Sequence, residues 1–284
     1  MTSISSVPAT PSISEKPFFF RNGDNQLFGI LHRPASAQAR SQGFVFCHPC
    51  FEEKLWAHRV YVGMARELVE RGYPVLRFDY MGHGDSDGDF EQATVATRLA
   101  DIGSAVQTLR NETGVAQVGL LGLRFGATLA AVSASSIPGI SRLVLWDPVV
   151  DGAAYMQEVL LSNLATQSAV HQKILHTREE LVAQMQTGHT VNIEGYGLTL
   201  AFYTETSAIK LQQAHSYAGP CLIAQIGRTN QKPKKNFEAL LSGYAAGELA
   251  LCIEEPFWKE IKTYCPRAEN LYQITLDWLG KHER

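Results

Sequence analysis

Gln117-Val-Gly-Leu-Leu-Gly-Leu-Arg-Phe-Gly-Ala127 decides how this chain is read. Residues 117 to 121 form a short apolar run that suits a buried strand, and residues 124 to 135 are small and apolar enough for a packed helix. Between them Gly122 and Gly126 flank Arg124. Glycine at both places permits a sharp turn and a helix pressed close on its strand. The expected unit is strand, tight turn, helix, with an arginine at the tip.

The same alternation continues on both sides. Gly43 to Cys47, Pro74 to Asp79, Leu143 to Trp146, Pro220 to Ile226 and Glu248 to Ile253 read as buried strands. Helices are expected through Trp56, Val60, Val62, Met64, Leu68 and Val69, stopped by Gly72, and over Ala93–Leu109, Lys234–Tyr244 and Ala268–Leu279. Phe18 to Phe20, the turn Asn22-Gly23-Asp24 and Leu27 to His32 predict an opening hairpin. Gly82 to Gly88 is a loop, with glycine at 82, 84 and 88. Alternating strands and helices predict an α/β fold with a mostly parallel, doubly wound sheet covered on both faces. The alternation breaks at about 152–213, where helices Ala153–Ala165 and Thr177–Gln186 and a hairpin around Gly195 predict a helical cap over the carboxyl edge of the sheet. There is no internal repeat. The expected domain is 17–284, after a Ser/Thr/Pro-rich disordered tail of residues 1–16.

A chain of 284 residues with 45% apolar and 19% charged residues can bury a large core, as a soluble globular protein does. The formal charge of −3 offers no basic footprint, so nucleic acid is excluded as the expected partner. No apolar window is long enough for a membrane span, and residues 1–16 lack the charge and apolar segment of a secretory signal. Five cysteines do not make a disulfide framework. The expected compartment is the cytoplasm. With no second C-x-x-C and no H-E-x-x-H, no metal site and no cofactor are expected.

In doubly wound sheets ligands sit beyond the carboxyl ends of the strands. The loops 47–56, 80–90, 122–126, 147–152, 227–233 and 254–260 are therefore the ones to read for chemistry. At the turn between Gly122 and Gly126, a G-x-S-x-G esterase would carry its nucleophilic serine where Arg124 stands. Its acid would follow Ile226, where the sequence has Gly227-Arg-Thr-Asn230, and its histidine would follow Ile253, where the sequence has Glu254-Glu-Pro-Phe-Trp-Lys-Glu260. No histidine occurs between His215 and His282, and His282 lies past the last expected helix. All three places of a Ser-His-Asp triad are altered.

Taken together, several motifs resemble the exosortase A system-associated hydrolase type 2 family, a branch of the serine-aminopeptidase-like α/β hydrolases. They are His48-Pro49 followed by Glu52-Glu53, Gly82-x-Gly84-Asp85-Ser86-x-Gly88-Asp89-Phe90, Gly122-Leu-Arg-x-Gly-Ala127, Trp146-x-Pro148-Val-Val-x-Gly152, Glu194-Gly-Tyr196 and Pro256-Phe-Trp258. The resemblance runs from about Phe44 to Leu279. It implies an α/β-hydrolase fold, an arginine at the elbow as a family trait, and hydrolysis of an acyl ester, thioester or lactone on a small-molecule or carrier-bound acyl substrate. Cys50-Phe51 departs from the family pattern, which has a phenylalanine and a small residue there.

Two readings stand for each residue. Arg124, at a helix N-terminus, is an anion or oxyanion binder, or else one half of an internal ion pair with Glu53, Asp79 or Asp147. His48 belongs to an oxyanion-type loop or only shapes that loop. Glu53, with Glu52, is a general base or acid, or a helix-opening dipole partner. Cys50 is a relocated nucleophile beside His48, or an inert thiol. Cys47 is expected to be buried, and Cys47-His-Pro-Cys50 also spells a redox motif that requires both sulfurs to be accessible. Phe51, Phe125, Asp147 and Trp258 are read as facing the substrate, Trp258 alternatively filling the place of the lost histidine. Arg124, His48, Glu53 and Cys50 are the catalytic candidates. The function is either triad-free acyl chemistry with Arg124 at its centre, or that of a catalytically inactive pseudo-hydrolase that binds an acyl ligand or a partner protein. A homodimer remains open.

Overall fold

The computed structural model describes residues 13–35, 39–213, 217–259, 265 and 267–282. Strands β1 (Ser14–Asn22) and β2 (Asn25–Arg33) form the opening hairpin, turning at Gly23 with φ 60°. β3 (Gln42–Cys47), α1 (Glu52–Glu70), β4 (Val75–Phe78), α2 (Val95–Thr113), β5 (Gln117–Leu123), α3 (Phe125–Ala134) and β6 (Ile140–Trp146) then alternate. After a block described below, β9 (Pro220–Gly227), α7 (Lys235–Leu241), β10 (Ala246–Ile253) and α8 (Glu269–Lys281) resume the pattern. The eight strands of the main sheet lie in the order β1-β2-β4-β3-β5-β6-β9-β10. β1, β2 and β4 pair antiparallel, and every pair from β4 to β10 is parallel.

Period-two side chains explain why the central strands read as continuous apolar runs. On one face Val45, Leu120, Leu143, Leu145 and Ile223 pack beneath α2, α3 and α7. On the other, Phe44, Phe46, Leu121, Leu123 and Trp146 pack beneath α1 and α8. Neither face meets water, so neither needs polar positions.

Between β6 and β9 lie α4 (Gly152–His171), α5 (Arg178–Gln186), the small hairpin β7 (Val191–Ile193) and β8 (Tyr196–Leu198), and α6 (Leu200–Ala208). The block leaves and re-enters through one neck. There Gly152 N donates to Ile209 O and Leu211 N to Val150 O, each at 2.9 Å, and Lys210 pairs with Asp151 at 2.6 Å. Among the described residues no helix is long and apolar enough to cross a membrane.

The differences from the sequence reading have local causes. Residues 1–12 of the expected tail lie outside the described residues. Ser14 to Lys16 extend β1, pairing with Leu31 to Arg33, because backbone pairing at a sheet edge is indifferent to composition. α1 begins at Glu52, ahead of the apolar stripe, with Glu52 and Glu53 in its positively polarised first turn. Trp56 lies off that stripe and is exposed, while Ala57, Tyr61 and Ala65 carry the contact. α6 was not foreseen: its nine residues carry no long apolar stripe, and the Thr199 hydroxyl that accepts from Phe202 N opens it.

The two elbow glycines are needed for space. A Cβ on Gly126 would strike the carbonyl oxygens of Cys47 and His48, and one on Gly122 would strike the backbone of α3 at Gly126 and Ala127. Gly103, by contrast, sits in α2 with open space where a Cβ would go. Gly126→Ala is therefore expected to destabilise the fold by about 1–3 kcal/mol through overpacking. Gly103→Ala is expected to stabilise it by about 0.5–1 kcal/mol. Urea unfolding midpoints of the two variants check both signs.

Candidate active site

Arg124 occupies the turn between β5 and α3 with φ 52° and ψ −122°, outside the regions that L-residues ordinarily populate. Two other non-glycine residues with positive φ stand nearby in the fold: Phe51 (53°), just before α1, and Asp147 (41°), just after β6. Backbone strain of this kind persists where the surroundings hold it, and it gathers at sites. Here Arg124 N donates to Trp146 O at 2.9 Å and Asp147 N to Ala224 O at 2.8 Å, so the sheet ladder pins both turns.

The guanidinium is enclosed by acids from three elements. Arg124 Nε donates to Glu53 Oε1 at 3.0 Å from α1, and Nη2 donates to Glu158 Oε2 at 2.7 Å from α4. Nη1 lies 3.6 Å from Asp147 Oδ2. The Tyr155 and Trp258 rings flank the cation at 5.6 and 5.7 Å. Tyr155 also donates its hydroxyl to Glu53 at 3.1 Å. The Arg124 side chain is only 11% exposed.

Burial pushes the Glu53 carboxyl above its usual range, and Arg124 only partly offsets that push. For Arg124 burial works against the charge, yet Glu53, Glu158 and Asp147 together hold it more firmly protonated than usual. Glu158 is partly buried too, but Arg124 holds its carboxyl below the ordinary value. The outer acids have second cations: Lys234 reaches Asp147 at 3.2 Å and Lys259 reaches Glu158 at 3.6 Å.

The candidates of the sequence thus divide. Arg124, Glu53, Asp147 and Trp258 come together. Of the ion partners expected for Arg124, Glu53 and Asp147 take that place, while Asp79 pairs with Lys54 at 2.6 Å. His48 stands apart, its ring packed on Tyr80 at 4.6 Å and its Nδ1 bonded to Pro49 O at 2.8 Å. Phe51 and Phe125 turn into a buried aromatic cluster around Phe202, at 6.0 and 6.1 Å, rather than toward an open cleft. Cys50 is 1% exposed, and burial pushes its thiol up to about 11, which leaves little thiolate at neutral pH. Cys47 is equally buried, its thiol pushed up to about 12, so the accessible pair that a redox motif requires is not present.

Sequence reasoning missed Tyr155, Glu158 and Lys259. The first two sit on α4, whose apolar and polar residues are mixed around the helix, so no stripe announced which side faced the elbow. At the place of a triad acid, Arg228 is exposed and bonded to Glu255. At the place of a triad histidine, Trp258 lies over the arginine. His282 reaches Glu248 at 3.4 Å near the start of β10, at the edge of the sheet away from the elbow.

The strand order, the strained turn and its glycines define an α/β hydrolase. The serine aminopeptidase, S33 family matches residues 43–225, and the chain belongs to that family. Over 134 residues, 47% of its length, the chain is 28% identical to the uncharacterized protein RP471 of Rickettsia prowazekii; the match spans about half the length of that curated relative, 55%. Among solved structures it is similar to ferulic-acid-bound Est1E from Butyrivibrio proteoclasticus, with a TM-score of 0.66 and 19% identity over 93% of this chain and 99% of the other. It is also similar to the Pyrococcus furiosus esterase Pf2001, with a TM-score of 0.62 and 16% identity over 99% and 95% of the two chains. At those identities the likeness is one of fold.

Removing the guanidinium leaves Glu53 buried without its cation, which raises its folded-state pKa further. The folded chain then keeps protons that the unfolded chain has released, so the deficit shrinks as pH falls. Arg124→Met is expected to cost about 3–5 kcal/mol at pH 8 and to recover most of that loss toward pH 5, read as the difference from wild type in urea unfolding across pH. Thiol titration of the native protein is expected to show Cys265, the partly exposed thiol, reacting well ahead of the four buried ones.

Proposed function

We propose that this chain is a pseudo-hydrolase: a hydrolase-family protein without a Ser-His-Asp triad, acting by binding rather than by acyl hydrolysis at the elbow. One observation carries the reading. The group at the nucleophile's place is a cation whose charge is already met by Glu53, Asp147 and Glu158. A guanidinium so enclosed supplies no electron pair for attack, and as an oxyanion donor it would have to give up a carboxylate first. The resemblance to the exosortase A system-associated hydrolase type 2 family supports an inherited arginine at this place. In this reading residues 152–213 act as a cap, which Glu158 of α4 ties to the elbow. A cytoplasmic setting suits five unpaired cysteines.

A second reading rests on the exposure of Glu158, whose side chain is 48% open to solvent. A carboxylate or developing oxyanion on an acyl substrate could displace it and take its place on Nη2, with Glu53 remaining as an anchored acid. The esterase neighbours suit that chemistry, although their likeness is one of fold.

Purified protein offered a panel of acyl esters, thioesters and lactones, followed by mass spectrometry, is expected to turn over none of them above buffer. Turnover that disappears in Arg124→Ala at matched folding would overturn the binding reading in favour of arginine-centred acyl chemistry.

A further inference from the structure

A cavity of about 420 Å³ lies between α1 and the β2–β4 side of the sheet, under the Gly82–Asp85 turn and beside Tyr196 of β8. Its volume falls within the range of small-molecule sites. Arg124, Asp147 and Trp258 are not among its lining residues, so it is separate from the elbow. The strand register orders its floor. Ile30, Arg77 and Phe46 are cross-strand neighbours in one row. Phe28 lies one row nearer the carboxyl edge, where its carbonyl accepts from Asp79 N at 2.8 Å.

The two cations of the lining stand differently. Lys54 closes on Asp79 at 2.6 Å, and beside them burial keeps the His48 ring neutral, so the charge at this polar end is already met. The charge of Arg77 is not. Its Nε donates to His32 Nε2 at 3.0 Å, and His32 is an uncharged partner because burial lowers its pKa to about 4. Among the described residues no carboxylate comes within 4.0 Å of Arg77 to form an ion pair. Glu15, which pairs with His32 across β1 and β2, is held instead by two hydrogen bonds from Arg66, at 2.7 and 3.1 Å. Burial pulls the Arg77 guanidinium down to about 10, and Glu15 and Asp79 offset only part of that pull. Its two Nη groups have no hydrogen-bond partner among the described residues. They are not shut away either: the residue is half-buried, it lines the cavity, and neither Nη belongs to the buried unpartnered nitrogens of the fold.

That arrangement selects a ligand. With Nε occupied, a guanidinium still offers the parallel N–H groups of its Nη1–Nη2 edge, which match the two oxygens of one carboxylate. One unmet cation calls for one negative charge. Burial lowers the pKa of His58, so that ring adds none at neutral pH, and a phosphate dianion would bring surplus charge against Asp79 and the exposed Asp85. Phe28, Ile30, Phe46 and Phe78 supply apolar walls for the rest of the molecule. We propose that this cavity binds a monocarboxylic acid with an apolar body, its carboxylate lying end-on against Nη1 and Nη2 of Arg77. The site stands whether or not the elbow turns over acyl substrates.

The probes are 4-phenylbutyrate and its neutral amide, 4-phenylbutanamide, which match in shape and differ in charge. Calorimetry on the full chain is expected to show one acid bound per chain, roughly tenfold more tightly than the amide. In protein labelled with 15N-arginine, the acid is expected to shift the Arg77 side-chain resonances and to leave those of Arg124 in place. Arg77→Gln is expected to remove the preference for acid over amide. Ile30→Glu, directly across from Arg77 in the register, places a carboxylate of the chain's own beside the guanidinium. It is expected to weaken acid binding more than tenfold, and it gives an independent reading should the glutamine variant not fold. Equal affinity for acid and amide, unmoved Arg77 resonances, acid binding indifferent to both variants, or no binding up to the solubility limit would each overturn the proposal.

Discussion

The close approach of α3 to the ends of β3 and β5 is the constraint on which the rest depends. Two glycines allow it: Gly126 lies against the carbonyls of Cys47 and His48, and Gly122 lies against the first turn of the helix. With backbone against backbone, the residue between them is forced to a positive φ and stands at the tip of the turn. That geometry presents whatever side chain is there to the space beyond the sheet. In this chain the side chain is an arginine, and a buried cation cannot be left alone. The acids of α1, of the β6 tip and of α4 follow from that requirement, so one steric constraint propagates into the charge pattern of the whole carboxyl edge.

The ion cluster is better understood as a device of geometry than as a source of stability. Desolvating four charged groups consumes most of what their attraction returns, whereas removing one partner exposes the full penalty on those that remain. Glu53 shows the balance directly, because burial still outweighs the pull of Arg124 on its proton. What the cluster does provide is direction. A guanidinium offers its donors in a fixed planar fork. Each edge of that fork is matched to an acid on a different element, so α4 is held over the elbow at one azimuth. The neck at Gly152 and Leu211 fixes where the block between β6 and β9 begins and ends, and its first helix is held by the buried Tyr155, Met156, Val159 and Leu160 with Glu158 tying it to the elbow.

Much of this was legible in the sequence, and the reasons are physical. The central strands are buried on both faces, so their apolar runs could be read without tertiary information. The elbow announced itself because only glycine tolerates the approach made at 122 and 126. Glu53 and Asp147 were readable as partners for Arg124 because one opens the helix after β3 and the other directly follows β6, both at the same edge of the sheet. Glu158 and Tyr155 were not, because apolar residues are spread all round α4 and the face that it buries, Tyr155, Met156, Val159 and Leu160, does not stand out in the sequence. The inward packing of Phe51 and Phe125 on Phe202 was not legible, because α6 carries no sequence signal of its own. The polar end of the second cavity was illegible for another reason. His48, Lys54 and Asp79 meet only because the sheet places β4 between β2 and β3, an order that no local pattern encodes.

Aromatic packing also separates the loop of His48 from the elbow of Arg124. Phe51 meets Phe90, Tyr196 and Phe202 on one side, while Phe125 stacks on Tyr155 at 5.4 Å on the other. His48 and Arg124 both belong to loops at one edge of the sheet, and in a triad enzyme those loops would serve a common reacting centre. Here the buried Cys50, Phe51 and Phe125 fill the ground between them with apolar atoms. Charge introduced at the elbow is neutralised locally by three acids, and the neutral His48 ring carries none of it away. The carboxyl edge of this sheet thereby holds an ion cluster around Arg124 and a separate cavity beside His48. Each has its own chemistry, and a change in one need not be felt in the other.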